Sequence, residues 1–201
     1  MNLLKKRRLT ICYSIIILLF FCCAKKPAID LTSGRLRVGF DVDDTLLFST
    51  PAFDRAKEKF DWGSDEFWNE VNTSDSAVSL IKTKTFEIIK NHQAQNCDIF
   101  VITARPGNGG ESLKKFISEK FDIPEENIYF EPNSKIERIR QLKLNIFYGD
   151  SDTDISDAQS AGAEGIRIQR SEKSSYKDNS GKLAKYNPGK FKEKIIEDSA
   201  E

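Results

Sequence analysis

Two aspartates two positions apart directly follow a short apolar run, and this pattern constrains the fold more than any other feature of the chain. Residues 36–40 have the composition of a buried strand, and Asp41 and Asp43 come immediately after it. Because side chains at positions i and i+2 of a strand point to the same side, the two carboxylates should share one face. Ligands bind at the carboxyl ends of the strands in open α/β sheets. One carboxylate there can attack a substrate while the other moves a proton, although an Asp-rich turn without function would give the same pattern.

A second group of aspartates follows another apolar run, residues 145–148. Asp150, Asp152 and Asp154 come after Gly149, and residues 155–162 have the pattern of a helix that ends at a glycine. Such a cluster supplies enough oxygen ligands for one hard cation, since waters and a substrate phosphate usually complete the shell of Mg²⁺. The same aspartates also suit the start of a helix, and Asp152 needs no further role.

Two further segments carry polar side chains suited to phosphate. The strand-like residues 97–102 end in Thr103, Ala104 and Arg105, and a hydroxyl followed by backbone N–H groups at a strand end forms a cradle for an anion. Lys135 opens an amphipathic stretch and offers a positive charge. A single lysine at a helix start is commonly solvated surface, so Lys135 does not define a site by itself.

In this order, the four segments resemble the motifs of the haloacid dehalogenase (HAD) superfamily of phosphotransferases. The first motif is D-x-D-x-T at residues 41–45, the second is Thr103, the third is Lys135, and the fourth is G-D-x-x-x-D at residues 149–154. Longer stretches are similar to the class B acid phosphatases of that superfamily, namely residues 38–51, 67–70, 146–154, 165–168 and 175–176. The resemblance covers residues 37–177, nearly the whole region expected to fold.

The resemblance implies a Mg²⁺-dependent acid phosphatase that hydrolyses small phosphomonoesters, including nucleotides, through an aspartyl-phosphate. It assigns Asp41 as the nucleophile and Asp43 as the acid and base. Mg²⁺ would be held by the Asp41 carboxylate, the Asp43 backbone carbonyl and the Asp150 carboxylate, and Asp154 would orient the metal-bound waters. Attack on the intermediate by an alcohol instead of water would add phosphotransferase activity.

The resemblance also implies how substrate is held. Thr103, the N–H of Ala104 and Lys135 would bind the phosphoryl oxygens, with Ala104 standing where a glycine is expected. Arg105 would contact substrate beyond the phosphate. An apolar slot for the leaving group would be formed by three aromatic side chains, Phe53, Trp68 and Tyr176. Two other aromatic residues of the same region, Phe60 and Trp62, are equally compatible with this slot and with a small local core.

Strand-like and helical segments alternate along the chain. The strand-like segments are residues 36–40, 99–102, 128–130, 145–148 and 165–168, and the helical ones are residues 76–95, 111–121, 135–142 and 152–161. This order predicts an α/β fold with a doubly wound parallel sheet covered by helices on both faces, of the HAD type according to the resemblance. We expect a core at residues 34–170 with a small helical cap insert at 48–75. Residues 171–201 are predicted to be a polar, poorly ordered C-terminal tail with one short helix near residues 191–196.

Composition limits the binding partners and the cellular location that we expect for this chain. The 201 residues have a formal net charge of zero, which argues against a nucleic acid polymer as partner.

Residues 1–24 have a basic start and an apolar centre, as a signal peptide does, and residues 25–33 form a linker. Cleavage after Ala24, lipid attachment at Cys23 and an uncleaved anchor are the alternatives. We therefore expect an exported protein, periplasmic, secreted or attached to the membrane only through this segment.

Two alternatives to a class B enzyme remain at this stage. The first is a class C-type lipoprotein acid phosphatase, which would perform the same chemistry under a different cap. The second is a surface binding protein with a vestigial phosphatase site. The class B resemblance further suggests a homotetramer, which residue spacing does not address.

Overall fold

A six-stranded parallel sheet lies at the centre of the computed structural model, which describes residues 34–199. Its order is β5 (Ile128–Phe130), β4 (Asp98–Thr103), β1 (Arg37–Phe40), β6 (Ile146–Gly149), β7 (Glu164–Ile168) and β8 (Lys194–Ile196). Helices α3 (Thr83–Ala94), α4 (Gly110–Phe121), α5 (Ile136–Gln141) and α6 (Asp152–Ala161) alternate with these strands. The predicted doubly wound α/β fold is confirmed. The predicted signal peptide and linker lie outside the described residues.

Alternate residues of the central strands pack into two separate apolar layers. In β4, Ile99 and Val101 join one layer, whereas Phe100 and Ile102 join the other. This follows from the two-residue period of a strand, since a parallel sheet covered by helices has no solvent face. The strand-like runs were therefore recognisable in the sequence as mainly apolar segments.

The chain changes direction across the sheet at β1. This strand pairs with β4 on one side and with β6 on the other, with Val38 opposite both Ile99 and Ile146. Where the connections that follow two neighbouring parallel strands lead away in opposite directions, they leave a crevice between them at the carboxyl ends of the strands. Asp41 and Asp150 follow β1 and β6, so the first and fourth motifs meet at this crevice.

The insert after β1 contains two helices and a small antiparallel pair of strands. β2 (Leu47–Phe48) pairs with β3 (Leu80–Ile81), and between them lie α1 (Thr50–Lys57) and α2 (Asp65–Val78). The hydroxyl of Ser64 accepts a hydrogen bond from the N–H of Phe67 and caps the start of α2. A local apolar core holds the two helices together and consists of Ala52, Ala56, Phe67 and Val71.

The single helix predicted over residues 76–95 is wrong. α2 ends at Val78, β3 follows, and α3 begins only at Thr83. The apolar residues on which the prediction rested belong to three elements, because Leu80 and Ile81 pair with Phe48 and Leu47. Pairing with a distant segment outweighed the local helical periodicity.

The short helix predicted near residues 191–196 is also wrong. Lys194–Ile196 forms β8, which extends the sheet beside β7. The N–H of Gln169 donates a hydrogen bond of 2.7 Å to the carbonyl of Ile196. The predicted tail therefore packs against the core as far as the structure describes it.

Lys82 links this C-terminal segment to the loop after β1. Its side chain is fully buried, and its ammonium donates hydrogen bonds to the carbonyls of Asp44 (3.0 Å) and Gln169 (2.8 Å). It also forms an ion pair of 2.6 Å with Asp198.

Within residues 34–199, no helix has the length and apolar character needed to cross a membrane.

Candidate active site

The loop after β1 brings three aspartates to the crevice. Asp41 and Asp44 are buried and Asp43 is partly exposed. Asp44 has a φ of 51°, in the left-handed region that aspartate tolerates better than most residues. Its Oδ2 accepts a hydrogen bond of 2.6 Å from the hydroxyl of Ser174, a residue of the C-terminal segment.

The fourth motif places a helix end against this loop. Ser151 caps α6 reciprocally with Asp154, each side chain accepting from the backbone N–H of the other. A Cβ on Gly149 would lie 2.3 Å from the Cβ of Asp154, so only glycine permits this close approach. As a result, Asp41, Asp150 and Asp154 present carboxylate oxygens that all lie within 4.8 Å of one another.

Lys135 lies between two of these carboxylates. Its ammonium donates to Oδ1 of Asp41 (2.5 Å) and to Oδ1 of Asp154 (2.6 Å). The carboxylate of Asp157, on α6, accepts from the backbone N–H of Lys135 at 2.9 Å and from the hydroxyl of Ser134 at 3.2 Å. Asp157 thereby fixes the start of α5 and directs Lys135 into the site.

Arg170 binds Asp150, the carboxylate of this cluster to which Lys135 does not donate. Its Nε donates to Oδ2 of Asp150 at 2.5 Å, and its Nη2 contacts the same oxygen. Arg170 was not among the residues predicted from the sequence. Its position just beyond β7, at the same edge of the sheet as the other motifs, is the signal by which it could have been found.

Burial and mutual repulsion dominate the electrostatics of these carboxylates. Burial raises the pKa of Asp41 well above its ordinary value, Lys135 opposes this, and Asp154 and Asp150 raise it further. Burial, together with the charge of Asp150, raises the pKa of Asp44 to about 7. The site therefore holds more buried carboxyl groups, Asp41, Asp44, Asp150 and Asp154, than Lys135 and Arg170 can balance.

These donors fit a hard divalent cation. All are oxygen atoms, as Mg²⁺ and Ca²⁺ prefer, and one oxygen from each of three carboxylates lies within 4.8 Å of the other two. In the part of the chain that the structure describes, Oδ1 of Asp44 is buried without a hydrogen-bond partner. A cation in the crevice would offset the repulsion that raises the carboxylate pKa values.

Arg105 does not extend freely into the crevice. Its side chain is 1% exposed, and it donates to both oxygens of Asp43, from Nε at 2.9 Å and from Nη2 at 2.6 Å. Burial would raise the pKa of Asp43, but the Arg105 guanidinium holds it below its ordinary value. Arg105 also lines the cavity, so a contact with substrate stays a prediction.

The predicted phosphate ligands lie at the end of β4 and at the start of α5. Thr103 is fully buried, and its hydroxyl oxygen accepts from the N–H of Arg105 at 3.2 Å. Ala104 and Lys135 line the cavity above Asp41. The structure brings the three residues to one edge of the sheet, and their contact with phosphate stays a prediction.

The crevice opens into a cavity of about 420 Å³ with an aromatic wall. Phe53 and Trp68 line it from the cap, 5.9 Å apart edge to face, and Tyr176 lines it from the C-terminal segment. Trp62 joins the wall, 5.8 Å from Phe53, and its side chain is 53% exposed. Phe60 is absent from this lining. The two aromatic residues left open in the sequence analysis therefore differ, and Trp62 belongs to the cavity.

The sheet order and the convergence of the four motifs define a phosphatase of the HAD type. The fold is shared with the class C acid phosphatase from Bacillus anthracis, with a TM-score of 0.52 at 16% identity over 68% of this chain and 66% of that one. At this identity the comparison concerns the fold alone.

Sequence comparisons give the family. The model of the HAD superfamily, subfamily IIIB (acid phosphatase), matches residues 22–179. The class B acid phosphatase of Salmonella typhimurium is 35% identical over 161 residues, or 72% of this chain and 68% of the relative. That of Edwardsiella ictaluri is 38% identical over 150 residues, or 67% and 62%. The chain therefore belongs to the class B acid phosphatase family.

This membership confirms the resemblance and the prediction of a phosphatase. It does not favour a class C-type enzyme or a binding protein with a vestigial site. The matches span about two thirds of the length of these relatives.

We predict that Lys135→Met lowers the free energy of unfolding by about 3–5 kcal/mol at neutral pH, because it leaves buried carboxylates without their cation. Urea denaturation in the presence of EDTA measures this change. The matched control is Lys115→Met, which removes an exposed lysine 4.0 Å from Glu119 and should change stability by less than about 1 kcal/mol. Similar losses in the two variants would contradict the proposed role of Lys135 in balancing the site.

Proposed function

We propose that the chain is an exported, Mg²⁺-dependent acid phosphatase that hydrolyses phosphomonoesters through an aspartyl-phosphate. The observation that carries this proposal is the position of Asp41. Its carboxylate lines a cavity that also has aromatic side chains in its wall, and it is bound to Lys135 and clustered with Asp150 and Asp154. This arrangement offers a nucleophile, positive charge for a phosphate and oxygen ligands for a cation at one point.

Asp41 acts as the nucleophile. One of its oxygens forms a bond to phosphorus while the bond from phosphorus to the leaving oxygen breaks, which gives an acyl phosphate. Lys135 holds Oδ1 of Asp41 and so fixes the direction of the other oxygen. Such transfers depend mainly on positioning and on offsetting phosphate charge.

Asp43 moves the protons. Asp43 must carry a proton when substrate binds, although Arg105 favours its ionised form by lowering its pKa. It gives this proton to the leaving oxygen in the first step, and in the second it takes one from the water that attacks the acyl phosphate. Its two oxygens are held by Arg105, so its position is defined before substrate arrives. An alcohol in place of this water would accept the phosphoryl group and give phosphotransfer.

The remaining residues hold the phosphoryl group and the metal. Bound Mg²⁺ would supply positive charge that lets an anionic nucleophile approach a phosphate, held by the Asp41 carboxylate, the Asp43 carbonyl and the Asp150 carboxylate. Both oxygens of Asp154 already accept hydrogen bonds, from Lys135 and Ser151. This supports a role for Asp154 through bound water.

The aromatic wall of the cavity favours substrates with flat leaving groups, such as nucleotides. Phe53 and Trp68 pack against the core of the cap and also line the cavity. Trp62, more exposed than either, would complete the slot.

The N-terminal sequence supports export. Residues 1–24 combine a basic start with an apolar centre, as signal peptides do. We propose a location outside the cytoplasm, periplasmic or attached to the membrane through this segment or through a lipid on Cys23. A homotetramer is part of the same proposal and rests only on the family resemblance.

Asp41→Asn is expected to abolish hydrolysis while the fold is retained, because the amide keeps the shape of the side chain but cannot form the acyl phosphate. Asp43→Asn should also lose most of its activity, and it should accumulate phosphoenzyme with p-nitrophenyl phosphate, whose leaving group needs no proton. Steady-state rates and mass spectrometry of quenched reactions measure both effects. Activity of Asp41→Asn comparable to that of the unmodified enzyme would falsify the covalent mechanism.

Chelation by EDTA should inactivate the enzyme, and added Mg²⁺ should restore it. Replacement of Asp150 by Asn should weaken Mg²⁺ binding more than the same replacement of Asp154, since a carboxylate that contacts the ion contributes more than one that acts through water. Isothermal titration with Mg²⁺ gives both affinities. Full activity after exhaustive chelation would contradict the metal site.

Trp68→Ala should lower kcat/KM for a nucleoside monophosphate more than for a sugar phosphate. Stacking of a base on an aromatic ring contributes about 1–3 kcal/mol, which corresponds to roughly one to two powers of ten in kcat/KM. Trp62→Ala is expected to act in the same direction, and Phe60→Ala, outside the lining, is the control. An unchanged ratio between the two substrates in Trp68→Ala would show that the rings only stabilise the cap.

A further inference from the structure

Arg105 is held between two carboxylates in a fully enclosed position. On one side it binds both oxygens of Asp43, and on the other its Nη1 donates to Oδ2 of Asp75 at 2.5 Å and to Oδ1 of Asn72 at 3.0 Å. Asp75 is 0% exposed and Arg105 is 1% exposed. Asp43 belongs to the loop after β1, whereas Asn72 and Asp75 belong to α2 of the cap. A single guanidinium thus joins the cap to the acid and base.

The cap residues that bind Arg105, Asn72 and Asp75, are held in place by further hydrogen bonds. The hydroxyl of Ser79 donates to Oδ1 of Asp75 at 2.6 Å, so both oxygens of Asp75 are engaged. The amide of Asn72 donates to the carbonyls of Pro106 (3.0 Å) and Asn108 (2.7 Å). α2 therefore holds both the guanidinium of Arg105 and the loop that carries it.

The same face of α2 forms part of the leaving-group slot. Trp68, Asn72 and Asp75 are spaced by four and three residues, which places them along one side of a helix. Trp68 lines the cavity. The element that receives the leaving group is therefore the element that holds Arg105.

We propose that Asp75 is a positioning residue that sets the position of the Asp43 carboxylate through Arg105. This inference rests on the proposed function, in which Asp43 protonates the leaving oxygen. A guanidinium bound to Asp43 alone could move together with that carboxylate, whereas one bound also by Asp75 has a fixed plane and fixed donors. Proton transfer needs hydrogen-bond reach to the leaving oxygen, and a displacement of about 1 Å can cost two powers of ten in rate.

A carboxylate is a costly means of merely attaching the cap. Burying a charge requires desolvation that well-packed apolar side chains avoid, and the cap already has its own apolar core. What the carboxylate adds is a directed bond to the guanidinium. This is the property that the proposed positioning requires.

The test compares two substrates that both carry an aromatic ring but differ in their need for a proton. p-Nitrophenyl phosphate has a leaving group that departs as an anion, and benzyl phosphate has an alcohol leaving group that must be protonated. kcat/KM for each is measured with Mg²⁺-loaded enzyme. We expect Asp75→Ala to lose at least about tenfold more on benzyl phosphate than on p-nitrophenyl phosphate, a difference of about 1.4 kcal/mol. Asp75→Asn, which keeps an oxygen acceptor, should show a smaller selective loss in the same direction.

Glu70→Gln is the matched control. Glu70 lies on the same helix and forms ion pairs with Arg55 (2.7 Å) and Lys59 (2.8 Å), so this variant removes a carboxylate that joins α1 to α2 without touching Arg105. Its ratio between the two substrates should equal that of the unmodified enzyme. If Asp75→Ala fails to fold, Asp75→Asn carries the test, with a selective loss of about threefold expected. Equal losses on both substrates in every folded Asp75 variant would overturn the proposal.

Asp43→Asn separates this inference from the function on which it rests. If Asp43→Asn loses no more kcat/KM on benzyl phosphate than on p-nitrophenyl phosphate, the role of Asp43 as proton donor is wrong. If Asp43→Asn loses more on benzyl phosphate and the Asp75 variants do not, only the positioning by Asp75 is wrong. Where both hold, adding Asp75→Asn to Asp43→Asn should cause no further selective loss.

Discussion

The concentration of negative charge at the crevice between β1 and β6 is the constraint on which the rest of the structure depends. Asp41, Asp150 and Asp154 are buried within 4.8 Å of one another, an arrangement that repulsion and lost hydration both oppose. Lys135 and Arg170 approach from two sides and supply the positive charge that makes it tolerable. The same group of carboxylate oxygens suits the crevice to a hard divalent cation. The requirements of stability and of function thus select the same residues.

The cap is bound to this site by specific polar contacts as well as by apolar packing. α2 carries a ring of the substrate slot on the same face as two residues that hold Arg105. Of the aromatic side chains that line the cavity, Trp68 lies on α2, and Asn72 and Asp75 on the same helix hold Arg105. One helix therefore contributes both to the aromatic wall and to the network that holds Asp43.

The sequence predicted five of the six strands of the parallel sheet, all except β8, because each is a mainly apolar run between helical segments. It also placed Asp41, Asp43 and Asp150 directly after such runs. It failed where pairing between distant segments outweighed local pattern, as in β3 and β8. Arg170 was missed because one arginine in a polar segment carries no local pattern, and Asp75 because its partner is thirty positions away. The roles of Thr103, Ala104 and Lys135 came from the ordered set of motifs, since spacing alone does not distinguish a buried lysine from a solvated one.

The contacts of the C-terminal segment have a consequence for how the enzyme is assembled. Ser174 binds Asp44, and Lys82 joins the carbonyl of Asp44 to Asp198. These contacts connect parts of the chain that are far apart in sequence, and long-range contacts form late because loop closure precedes any gain from them. The loop after β1 therefore reaches its final form only after residues 170–198 have folded onto it. A chain that has not yet added this segment would contain the aspartates of the loop without the completed site.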